Sequence, residues 1–114
     1  MAKLESDVQS KMMRTVRKHG GYVYKNAQSM YTEKGRPDLT ACIPVSLKRL
    51  EELFGKDAKI GVFVGIEVKR NKKVYDSSDA QVIVGKQIQN ASGLWFSIDD
   101  PDIIEALMVR FTEE

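Results

Sequence analysis

The sequence predicts an α/β domain in which a four-stranded mixed sheet is flanked by helices. Three observations predict it. Segments of helical and of strand periodicity follow one another in the order helix, strand, strand, helix, strand, helix, strand, helix. Residues 60–69 alternate cleanly, with Ile60, Val62, Val64, Ile66 and Val68 on one face and Gly61, Phe63, Gly65, Glu67 and Lys69 on the other. Glycine or proline punctuates nearly every change of period, at Gly20-Gly21, Pro37, Pro44, Gly55, Gly93 and Pro101.

Residues 4–18 read as an amphipathic helix, with Leu4, Val8, Met12 and Val16 in a stripe and Met13 beside them. Lys18 and His19 suit its C-terminal dipole, and His19 has no partner at ligand spacing. Residues 21–26 read as the first strand, through Tyr22, Val23 and Tyr24. A polar connection over 27–36 leads to Pro37-Asp38 and a second strand over 39–43. Residues 44–55 read as a helix with Ser46 as N-cap and Leu47, Leu50, Leu53 and Phe54 as its apolar stripe. The third strand, 60–69, is expected to press its β-branched face into the core. After a basic loop at 70–77, Ser78-Asp79-Ala80-Gln81 fits a capping box opening a helix to about 92, with Ala80, Val82, Ile83, Ile88 and Ala91 buried. Residues 94–98 read as the fourth strand. Asp100-Pro101 opens a last helix that buries Ile103, Ile104, Leu107, Met108 and Phe111.

A length of 114 residues predicts a single domain, 1–114. The net charge of +2 decides nothing about nucleic acid, but its distribution matters. Lys3, Lys11, Arg14, Arg17 and Lys18 load the first helix, and Lys69, Arg70, Lys72 and Lys73 follow the third strand. The lone Cys42 excludes an internal disulfide, fits a reducing intracellular setting, and reads as a buried, inert thiol. No apolar run is long enough to span a membrane, and no signal peptide is visible.

The chemistry concentrates at strand ends. Glu67 and Lys69 project from one face of the third strand, and Asp38 stands at the mouth of the second. Taken alone, Glu67 and Lys69 read as a salt bridge at a sheet edge, Gln81 as a helix cap, and Glu5 and Gln9 as solvated flank. Taken together, paired carboxylates suit Mg²⁺ or Mn²⁺, which take oxygen ligands and need few of them from protein when phosphate and water complete the shell. A lysine beside them can orient water or offset charge on a phosphate. These parts suit phosphodiester hydrolysis, with the basic helix and loop holding a phosphate backbone.

Gly35-Arg36-Pro37-Asp38-Leu39, Gly65-Ile66-Glu67-Val68-Lys69, Ser78-Asp79-Ala80-Gln81 and Gly93 resemble the VRR-NUC branch of the PD-(D/E)xK nuclease superfamily over about residues 5–98. The resemblance implies a restriction-endonuclease-like αβββαβ core, here with an extra helix between the second and third strands and a C-terminal helix. It implies a metal held by Asp38, Glu67 and the Val68 carbonyl. Lys69 would act on the water, Gln81 would steady the site, and Glu5 would act through a metal-bound water. Arg36, Arg70, Lys72, Lys73, Lys11 and Arg14 are the DNA-contact candidates. Stand-alone chains of this kind are similar to viral members that act as homodimers on four-way DNA junctions. The extra helix after Asp38, and the absence of a glycine often found before Ser78, depart from the family pattern at substrate contacts. The alternatives are the same chemistry on flaps, nicked duplex or single strands, and a catalytically silent DNA-binding module.

Overall fold

The computed structural model describes residues 4–31, 33–69 and 79–113. It is an α/β fold with the element order read from the sequence: α1 (Glu5–Lys18), β1 (Tyr22–Lys25), β2 (Leu39–Cys42), α2 (Leu47–Phe54), β3 (Val64–Val68), α3 (Asp79–Asn90), β4 (Leu94–Ile98) and α4 (Pro101–Thr112). Hydrogen bonding joins the described strands as two pairs. β1 and β2 run antiparallel, from Tyr22 opposite Cys42 to Lys25 opposite Leu39. β3 and β4 run parallel, from Val64 opposite Leu94 to Val68 opposite Ile98. No ladder links β2 to β3 among the described residues.

Local chemistry sets the boundaries. The Ser46 hydroxyl accepts from the Arg49 N–H at 3.1 Å and starts α2, and Gly55 stops it at φ 91°. The Asp100 carboxylate accepts from the Asp102 N–H at 2.9 Å ahead of Pro101, as the sequence predicts for α4. α3 ends through Ser92 at φ 68°, after which the Gly93 N–H donates to the Ile88 carbonyl at 2.9 Å. The capping serine expected at residue 78 lies outside the described residues.

A parallel strand pair needs a crossover element, and α3 supplies it. It lies over the face of β3 that carries Gly65, Glu67 and Lys69. A Cβ on Gly65 would stand 3.0 Å from Ile88 Cδ1 and 3.3 Å from the Trp95 ring. A Cβ on Gly85 would stand 2.5, 2.6 and 2.8 Å from three atoms of that ring. Gly65 and Gly85 therefore let helix, strand and indole close on one another. The two sheets meet at one end. There Cys42 Sγ donates to the Ala91 carbonyl at 3.5 Å, and the Tyr22 and Phe63 rings stand edge to face at 6.1 Å. Cys42 is buried as expected, and burial pushes its thiol pKa up, which keeps it protonated and unreactive.

One expectation is corrected. The β-branched face of residues 60–68 is not the buried one: Ile60 is 47% exposed, Val62 57%, Ile66 45% and Val68 78%. The strand starts only at Val64 and, among the described residues, pairs with β4 alone, and α3 covers its other face. Ile60 and Val62, with Val64, instead line an open groove of about 690 Å³ against Met108 and Phe111. Other expected apolar contacts are also exposed, among them Val8 and Met12 of α1, Leu47, Leu53 and Phe54 of α2, Ile83 of α3 and Ile103 of α4.

The close approach of α3 has a direct test in a pair of variants. Gly85→Ala should lower the melting temperature. Overpacking costs about 1–3 kcal/mol against about 1 kcal/mol of helix propensity gained. Gly61→Ala, with open space where its Cβ would stand, should leave the melt unchanged. Equal melting of Gly85→Ala and the parent chain would contradict the packing.

Candidate functional site

β3 and α3 assemble the first part of the site. Alternation along β3 places Glu67 and Lys69 on the side that α3 covers. Gln81, Gly85 and Ile88 fall at helical spacing on the facing side of α3. Gln81 and Ile88 are seven residues, or about 10.5 Å, apart along a helix. Ile88 sits at Gly65, and about 10 Å of strand runs from Gly65 to the level between Glu67 and Lys69. The two spacings match, so Gln81 reaches both charged groups. Lys69 Nζ donates to Gln81 Oε1 at 2.7 Å, and Gln81 Nε2 donates to Glu67 Oε2 at 2.8 Å. All three side chains are half-buried.

The orientation of that amide is set by charge. Its oxygen meets an ammonium and its nitrogen meets a carboxylate. The flipped amide would set donor against donor and acceptor against acceptor. The bridge holds a carboxylate and an amine together on one part-buried face. Gln81 therefore does more than cap a helix.

α1 and the mouth of β2 supply a second group. Asp38, Glu5 and Gln9 line one open cavity of about 520 Å³, together with Lys25 and Asn26. Asp38 and Glu5 are exposed. The Gln9 Oε1 atom is buried and accepts no hydrogen bond. Gln9 is thus more than the solvated flank its position on α1 implies. Arg36 Nη2 donates to Asn26 Oδ1 at 3.0 Å, which ties this DNA-contact candidate, two residues ahead of Asp38, to the end of β1. Lys11 and Arg14 lie exposed on α1, beside Asp7 and Val8. Val68 turns its side chain to the opposite face of β3, between Glu67 and Lys69 in the main chain. Arg70, Lys72 and Lys73 lie outside the described residues.

The described residues gather no cluster of three or more His, Cys, Asp or Glu side chains around a metal position. The donors present do fit a hard cation. They are all oxygens, one is a buried amide oxygen with no partner, and Mg²⁺ binds through one or two carboxylates while keeping several waters. Asp38 and Glu67 belong to separately hydrogen-bonded sheets, so their convergence is not fixed by strand pairing. Asn26 is the residue that sequence reasoning missed. Its only signal was an amide closing a strand ahead of a polar connection.

No protein-family model, curated protein or solved structure matches the chain. The resemblance to the VRR-NUC branch therefore rests on its motif residues alone.

The Gln81 bridge predicts a measurable stability. Hydrogen bonds to charged groups contribute about 1.5–3 kcal/mol each. With the site half-buried, Gln81→Leu should lower unfolding free energy by about 1–3 kcal/mol in urea titrations. A change within error of zero would contradict the bridge.

Proposed function

We propose that this chain is a metal-dependent, structure-selective DNA endonuclease that cuts four-way junctions as a homodimer. The observation that carries the reading is the bridge from Lys69 through Gln81 to Glu67. A carboxylate and an ammonium held in register by one amide, on a strand that ends in a basic stretch, suit an attack on a phosphodiester. Asp38, Glu67 and the Val68 carbonyl would hold Mg²⁺ or Mn²⁺. Such an ion, when bound, supplies charge to the scissile phosphate and a more acidic water. Lys69 orients the attacking water and offsets negative charge growing on the phosphate. Gln81 keeps the Lys69 ammonium and the Glu67 carboxylate from collapsing onto each other. Glu5 and Gln9 line the same cavity as Asp38, where they would hydrogen-bond water around the ion.

The reading includes one four-stranded mixed sheet of restriction-endonuclease type, with β2 beside β3. The junction of the two sheets supports it. Asp38 lies four residues before Cys42, and Glu67 four residues after Phe63. Cys42 and Phe63 both lie at the end where the sheets meet. With β2 antiparallel to β3, both carboxylates stand about 13 Å from that end, on the same side.

DNA is the partner in this reading. Lys11 and Arg14 on α1, with Arg36, would follow the phosphates, as would Arg70, Lys72 and Lys73. A junction needs two symmetric cuts, which a two-fold dimer delivers. Exposed Leu47 and Phe54 of α2, lining one cleft with Ile60 and Val62, offer an apolar surface for that dimer. No helix among the described residues is long and apolar enough to cross a membrane.

A cleavage assay tests the reading on a four-way junction, a flap, a nicked duplex and a single strand, each with Mg²⁺ or Mn²⁺. The junction should be cut fastest. Asp38→Asn and Glu67→Gln should abolish cutting and retain DNA binding, and Lys69→Ala should lower kcat more than affinity. Full rates in Asp38→Asn or Glu67→Gln would remove the metal assignment. No cutting of any substrate would leave a DNA-binding module instead. A monomer by sedimentation at micromolar concentration would remove the junction-resolving dimer.

A further inference from the structure

Asn26 is the one buried polar residue among the described residues, at 4% exposed. Its Nδ2 donates to the Pro37 carbonyl at 2.9 Å and to Thr40 Oγ1 at 2.8 Å. Its Oδ1 accepts from Arg36 Nη2 at 3.0 Å. Its backbone N–H donates to the Asp38 carbonyl at 2.9 Å. All four bonds go to residues 36–40, on both sides of Asp38. The paired ladder between β1 and β2 stops at Lys25 opposite Leu39. Before that point Pro37 has no N–H to offer and Gly35 sits at φ 85°, so beyond the bond from the Asn26 N–H to the Asp38 carbonyl the main chain adds little to hold residues 36–37. The Asn26 amide does that work, with both of its N–H bonds and its oxygen committed to this one segment.

We infer that Asn26 is a positioning residue: it fixes residues 36–40 so that the Asp38 carboxylate is presented to a divalent cation. The inference rests on the metal-site reading above. A ligand must be held to within about 0.5 Å to act. Asp38 is exposed at the edge of an open cavity, where its surroundings do not hold it. The rigidity must then come from the backbone beneath it, which Asn26 anchors. The loss of such an outer partner lowers metal affinity about 10–100-fold.

The test is Mn²⁺ binding followed by the electron paramagnetic resonance of free Mn²⁺, on the whole chain and on Asn26→Ala, Thr40→Val and Asp38→Asn. Thermal melts run alongside. Asn26→Ala should weaken Mn²⁺ binding about 10–100-fold, and Thr40→Val should weaken it less. Excess Mn²⁺ should restore turnover of Asn26→Ala with its KM for DNA unchanged, a rescue that a merely structural role would not give. A folded Asn26→Ala that binds Mn²⁺ like the parent chain overturns the inference. Where Asn26→Ala does not fold, Thr40→Val decides, and unchanged affinity there overturns it. A parent chain that takes up no Mn²⁺ overturns the metal-site reading and this inference with it. Binding lost in Asp38→Asn but kept in Asn26→Ala overturns the inference alone.

Discussion

The contact on which the structure turns is the Trp95 indole lying against Gly85 of α3, with Gly65 of β3 beneath the same ring. Any side chain larger than hydrogen at Gly85 would push the helix off the strand pair. The height of α3 above β3 decides whether Gln81 can touch Glu67 and Lys69 together. An amide side chain is short, and its two bonds of 2.7 and 2.8 Å leave no slack. A glycine, a tryptophan and a second glycine thus set the geometry of a polar site one helical turn away. Their packing is apolar, and its consequence is electrostatic.

The order of elements was legible in the sequence because each carries its own local signal. Ser46, Asp100 and Pro101 open helices through side-chain and ring chemistry that acts within three residues. β4 spans Leu94–Ile98, the bounds its apolar and aromatic residues imply. The buried face of β3 was not legible, because alternation reports that a strand has two unlike faces and not which of them a neighbour covers. Both apolar and glycine faces can pack, and here α3 takes the glycine side. The same limit applies to Leu47, Leu53 and Phe54, whose helical stripe is clear in the sequence yet stays exposed.

The site divides along the same line. Glu67, Lys69 and Gln81 were readable as candidates because charge at the end of an apolar strand is costly without partners, and Gln81 is a partner to both charges. The role of Asn26 was not readable, since nothing in its neighbours announces that four hydrogen bonds will converge on it from residues 36–40. Gln9 falls between the two. Helical spacing from Glu5 puts it near the same cavity, but its buried, unpartnered oxygen is a property of the fold. Long-range polar contacts depend on where segments meet, which local pattern does not encode.

The two halves of the site are each internally ordered: one by Gln81 between Glu67 and Lys69, the other by Asn26 beneath Arg36 to Thr40. The proposed function requires one divalent cation to serve both. Paramagnetic broadening of backbone amide signals by substoichiometric Mn²⁺ measures this directly. The account predicts that the amides of Asp38 and Val68 broaden together, at the same ion concentration, and that both recover in Glu67→Gln. Broadening at Asp38 with sharp signals at Val68, or the reverse, would contradict a shared ion and with it the nuclease reading.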